Sequence, residues 1–141
     1  MTVVLALLEA FAVASLFGAM VFFAAVVAPR VFTALDPDQA GRFLRAIFPW
    51  YYLFLTASAG LAAIALGASG DYARAGAAGL IAVSALGVKL VLVPQINAWR
   101  DAALEGDTRA ERRFNAGHRA TVLLNVVHLG LAGWLVAALA L

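Results

Sequence analysis

Apolar residues along this chain fall into four long blocks, at 3–28, 46–68, 75–96 and 120–141, separated by short stretches that hold most of the charge. Each block reaches the ~20 residues that a helix needs to cross about 30 Å of hydrocarbon. None alternates polar and apolar positions as a barrel strand would. A helix is favoured in lipid because its backbone groups are satisfied within the segment. The first block is too long for a signal-peptide core, has no basic lead and contains Glu9, so it reads as a spanning helix. The pattern predicts an all-α integral membrane four-helix bundle with antiparallel up-down topology, forming a single domain over 1–141.

The connections refine this picture. Arg30, Arg42 and Arg45 lie between the first two blocks, and Arg100, Arg109, Arg112, Arg113 and Arg119 between the last two. Only Arg74 lies in the middle connection. The positive-inside rule therefore assigns 29–45 and 97–119 to the cytoplasm and both termini to the outside. Trp50, Tyr51, Tyr52 and Trp99 would mark the inner interface, and Tyr72 and Trp134 the outer. Asp36-Pro37-Asp38-Gln39 predicts a capped helix start, with Ala40, Phe43, Leu44 and Ile47 on one stripe of an interfacial helix at about 37–48. Thr108-Arg109-Ala110-Glu111 predicts a second capping box, with the fourth helix starting near Arg109. Pro29, Pro49 and Pro94 should bend their helices, and the third helix should continue past Pro94 to Leu104 on the cytoplasmic side. The two halves resemble one another, each ending an apolar helix at a proline before a capped turn. Gly76, Gly79, Gly87 and Gly133-x-x-x-Ala137 offer small faces for close helix packing or for homo-oligomer contacts.

Composition agrees. The chain is 65% hydrophobic and 13% charged, with a mean hydropathy of +0.94. Soluble domains are about half apolar and a quarter charged. The net charge of +2 fits topology signals and membrane lipid rather than nucleic acid. The absence of cysteine removes disulfides and thiolate metal sites.

Ionisable and polar residues inside the blocks are the candidates for function. Glu9 and Lys89 could pair, but their positions along the two blocks differ by roughly 10 Å in height at ~1.5 Å per residue. Snorkelling or solvation within the bundle is the alternative for each. On the fourth helix His118, Thr121, Asn125 and His128 fall within a sector of about 80° at helical period. That stripe predicts a cytoplasm-facing polar cavity formed by His118, Thr121, Asn125, His128 and Lys89, with Asn97, Arg100 and Glu9 as further candidates. Interhelical hydrogen bonding is its simplest explanation. The two histidines lie ~15 Å apart along a straight helix and cannot share one metal. A haem on one histidine, or copper with another donor such as Met20, stays open for His118 and His128. No P-loop, dinucleotide fingerprint or paired-carboxylate site is present.

Taken in order, Val27-x-Pro29-x-x-Phe32, Phe48-Pro49-x-Tyr51-Tyr52, Pro94-x-x-Asn97-x-x-Arg100-Asp101, and Phe114-x-x-x-His118-Arg119 with Asn125 resemble the transmembrane protein 205-like family, known in prokaryotes as domain of unknown function 4149. The resemblance implies a four-span membrane protein. A human relative is associated with platinum-drug resistance, and the prokaryotic members have no settled activity. Ala and Arg usage points to a GC-rich prokaryote and hence to its plasma membrane. A looser likeness to small four-helix families that handle copper or haem keeps a membrane redox enzyme or oxygenase as the alternative function. A structural or assembly subunit is the second alternative.

Overall fold

A computed structural model describes residues 3–139. They form four helices, α1 Val3–Ala34, α2 Pro37–Ala68, α3 Tyr72–Leu104 and α4 Thr108–Ala138, with no strand among the described residues. The end of the fourth apolar block, 140–141, lies outside them. All four helices are long and apolar enough to cross a membrane. At 1.5 Å per residue a helix of 32 residues is about 48 Å long, so each exceeds the hydrocarbon thickness by several turns.

Two Gly-Asp pairs make the turns at opposite ends of α3. Gly70 and Gly106 adopt left-handed backbone angles, φ +88° and +98°. The next N–H then reaches back to cap the finished helix, Asp71 to the Leu66 carbonyl at 2.9 Å and Asp107 to the Ala102 carbonyl at 3.1 Å. The same aspartates start the following helix. Asp71 accepts the Arg74 N–H, and Asp107 accepts those of Arg109 and Ala110 at 2.8 and 3.0 Å. The cap of α4 is therefore Asp107, not the expected Thr108, which is already helical. A carboxylate placed one residue earlier, straight after the left-handed glycine, reaches two free N–H groups at once. At α2 the expected box forms: Asp36 accepts the Gln39 N–H at 2.8 Å, and the Gln39 side chain accepts the Asp36 N–H.

The prolines act differently from one another. α1 widens to π geometry over Phe23–Val27 and α3 over Val88–Leu92, where Ala28 and Val93 donate five residues back to Phe23 and Val88. Pro29 and Pro94 follow each widened turn at the same spacing. Proline lacks an N–H, and its ring collides with the carbonyl four residues earlier, here Ala25 and Leu90; a wider turn gives that carbonyl room. Pro49 has no such turn, and α2 runs through it as one α-helix from Pro37. The likeness of the two halves extends to this distortion.

The core is built from Val13 and Leu16 of α1, Leu55 and Leu66 of α2, Ile81 of α3 and Leu135 of α4. Ala59, Ala62, Ala78 and Ala85 line a seam that brings α2 and α3 together. Phe11, Ile64, Val83 and Leu123 point outward, as lipid-facing residues should. Of the glycines read as packing faces, Gly79 approaches Ala63 and Gly133 approaches Phe17, whereas Gly76 and Gly87 face open space. The tightest approaches are elsewhere. A Cβ at Gly117 would lie 3.0 Å from Ile96 and Trp99, and one at Gly41 would lie 2.6 Å from the Arg100 guanidinium.

Candidate functional site

After Pro49, α2 turns Tyr51 and Tyr52 toward the bundle rather than to a membrane interface. Tyr52 is only 2% exposed. These adjacent residues meet the polar stripe of α4. The Asn125 amide donates to the Tyr52 hydroxyl at 2.8 Å and to the Thr121 carbonyl at 3.2 Å, while its oxygen accepts the Tyr51 O–H at 3.2 Å. All the usual hydrogen-bonding directions of the amide but one are thus used. Phe23 packs on Tyr51, ring centroids 4.6 Å apart, and Phe48 stacks on Tyr52 at 6.1 Å.

Beside this cluster lies a cavity of about 290 Å³ between α1, α2 and α4. Met20 and Phe23 form its α1 wall, Phe48, Tyr51 and Tyr52 its α2 wall, and His118, Thr121 and Asn125 its α4 wall. An apolar chamber with a few convergent polar groups is the usual form of a small-molecule site. Near its end His118 stacks on Phe114, and the Arg100 guanidinium covers the other ring system's face, 5.6 Å from the Phe114 centroid. Asn97 adjoins from α3, across a small pocket shared with His118, Thr121 and Tyr52. Further along, Arg45 joins α2 to α3 through Asp101 at 2.5 Å. The Arg45 hydrogen bond and charge hold the Asp101 carboxyl below the usual carboxylate range.

The structure thus brings His118, Thr121 and Asn125 into one cavity, with Asn97 behind it and Arg100 reaching it through Phe114. It places the other three candidates elsewhere. His128 faces α3, where Nε2 meets Ser84 Oγ at 2.7 Å. The Ser84 hydroxyl also lies within hydrogen-bond distance of the Leu80 and Ile81 carbonyls of its own helix. Lys89 sits half-buried on the widened turn of α3 and forms no ion pair with Glu9. Glu9 is at the opposite end of the bundle. The two histidines occupy opposite edges of the α4 stripe and face different neighbours. Among the described residues no three His, Cys, Asp or Glu side chains come together as a metal set. Met20 does share the cavity with His118. The sequence reading missed the tyrosines as partners of Asn125. Their position two and three residues after Pro49, on the face that continues to Leu55, was the available signal.

The family model described as "Domain of unknown function (DUF4149)" matches residues 11–105, from α1 through the end of α3. No curated protein and no solved structure matches the chain. With about two thirds of its length covered by that model and four helices able to span a bilayer, the chain is an integral membrane protein belonging to the DUF4149 family.

Proposed function

We propose that the protein is a membrane binding protein that takes a small, mainly apolar molecule bearing one hydrogen-bonding group into the cavity between α1, α2 and α4. The observation that carries this reading is the Asn125 amide, fixed by Tyr51 and Tyr52 at the wall of a mainly apolar chamber. A half-buried amide oriented by two phenols presents its remaining capacity in one direction. What remains is a lone pair on the amide oxygen, which suits recognition of a hydroxyl or another hydrogen-bond donor. His118, stacked on Phe114, adds a second polar group near the end that carries the arginines. The finer relationship to transmembrane protein 205-like proteins belongs to the same proposal. It draws on Phe114, His118 and Asn125, which lie beyond the matched residues.

Photolabelling with a diazirine-bearing fatty alcohol in lipid nanodiscs tests this. Label should map to Phe23, Tyr51 and Val122, and should fall several-fold in Asn125→Leu while the protein stays folded by circular dichroism. Equal labelling of the folded variant would remove the cavity reading. A second reading, copper or haem at this site, is favoured by Met20 and His118 sharing one wall-to-wall space. Metal analysis and a visible spectrum of the natively expressed protein decide it, with loss of the signal in His118→Ala as the required control.

A further inference from the structure

The opposite end of the bundle holds a second, independent cavity of about 910 Å³. It opens where the 69–71 turn, the first turn of α3 and the last turn of α4 surround Glu9 of α1. Glu9 is 5% exposed, and its Oε1 has no hydrogen-bond partner among the described residues. A carboxylate removed from water without a partner is costly, and an apolar membrane setting makes it more so. Such a group needs a proton or a cation.

Among the described residues the neighbouring elements do not supply one. The last two turns of α2 and of α4 contain no charged residue. The start of α3 brings Tyr72, Arg74 and, from the turn, Asp71. Arg74 is the basic group of this set and is already engaged: Nε donates to Asp71 at 2.6 Å and Nη1 to the Ala138 carbonyl at 2.9 Å. Asp71 is also occupied by the Arg74 backbone N–H. One carboxylate is therefore unmatched, and a dedicated calcium site would need six or more oxygen ligands. The walls beside Glu9 are Ala6, Ala10, Ala73 and Leu139, which suit a short carbon body.

We propose that this cavity binds a small primary ammonium compound, its charged head donating to Glu9 and its carbon body resting on those alanines. The proposal does not depend on the cavity at Asn125. Its test uses the full chain in nanodiscs with glutamate side chains carrying 13C at the carboxyl carbon, titrated with ethylammonium chloride. The chain has three glutamates, Glu9, Glu105 and Glu111. Glu105→Gln and Glu111→Gln assign the Glu9 resonance without altering the site. A saturable shift of Glu9 alone is expected, absent with sodium chloride at equal concentration. Glu9→Gln should abolish the ethylammonium line broadening that the wild type produces. An unmoved Glu9 resonance, or an equal response to sodium chloride, overturns the proposal. So does a folded Glu9→Gln protein that broadens the ethylammonium line as the wild type does.

Discussion

At the residue scale the polar side chain that ties the cavity wall together is Asn125, which spans more than seventy residues of sequence to reach both tyrosines. Hydrogen bonds between membrane helices contribute modestly, because the unfolded chain in lipid also finds partners. Tyr52→Phe should accordingly lower stability by about 0.6–1.7 kcal/mol, read by reversible unfolding in mixed micelles. The Asn125 position was legible from the α4 stripe. Its partners were not, since adjacent tyrosines on a helix near a proline read equally well as interface anchors. Asp101 carries a pH dependence. Its folded-state value lies below the ordinary one because Arg45 donates to it. The stabilising contribution is therefore complete above the ordinary aspartate value of about 3.9 and is lost as pH falls through the lowered one. Melting curves of wild type and Asp101→Asn should differ at pH 7 and converge at strongly acid pH.

At the scale of the helices, two features govern alignment. The widened turns at Phe23–Val27 and Val88–Leu92 interrupt regular hydrogen bonding inside membrane helices. Amides in both should exchange hydrogen faster than those in the flanking turns. Pro94→Ala restores an N–H opposite the Leu90 carbonyl, so it should slow exchange over 88–92 while leaving 23–27 unchanged; mass spectrometry of peptic fragments reads both. The second feature is the close contact of α3 with α4 at Gly117. Gly117→Leu pushes a side chain into Ile96 and Trp99 and should destabilise by about 1–3 kcal/mol, whereas Gly130→Leu, facing open space, should change little. Thermal unfolding in the same detergent compares the two. Small-residue spacing had suggested contacts at Gly76 and Gly87 as well. Spacing alone does not say which side of a helix meets a neighbour, and both glycines face away from one.

For the whole molecule, the distribution of arginines predicts that the turns at 35–36 and 105–107 lie on the cytoplasmic side and the 69–71 turn on the other. The chain has no cysteine, so single replacements report without background. Asp38→Cys and Glu105→Cys should react with an impermeant maleimide only after cells are permeabilised, and Ser69→Cys in intact cells. The reverse pattern would invert the orientation and with it the compartment to which each cavity opens. The two cavities sit near opposite ends of the bundle. That separation follows from the antiparallel packing, which brings the start of α1 beside the end of α4.

The sequence by itself determined the number of helices, their membrane-spanning character and most of their ends. Those properties rest on local quantities: the length of an apolar block, its hydropathy, a Gly-Asp pair where one helix stops and the next begins. Tertiary structure decided which polar residues meet. The α4 stripe covers about 80° at helical period, wide enough to straddle two interhelical grooves. Its His118 edge therefore faces the cavity while its His128 edge faces Ser84 of α3. The sequence places Lys89 by its depth along the third apolar block, and depth alone does not say which interhelical groove a side chain faces. Glu9 could be picked out as an acid in an apolar block. Only the fold could show that Arg74, the basic residue lining the same cavity among the described residues, is already engaged.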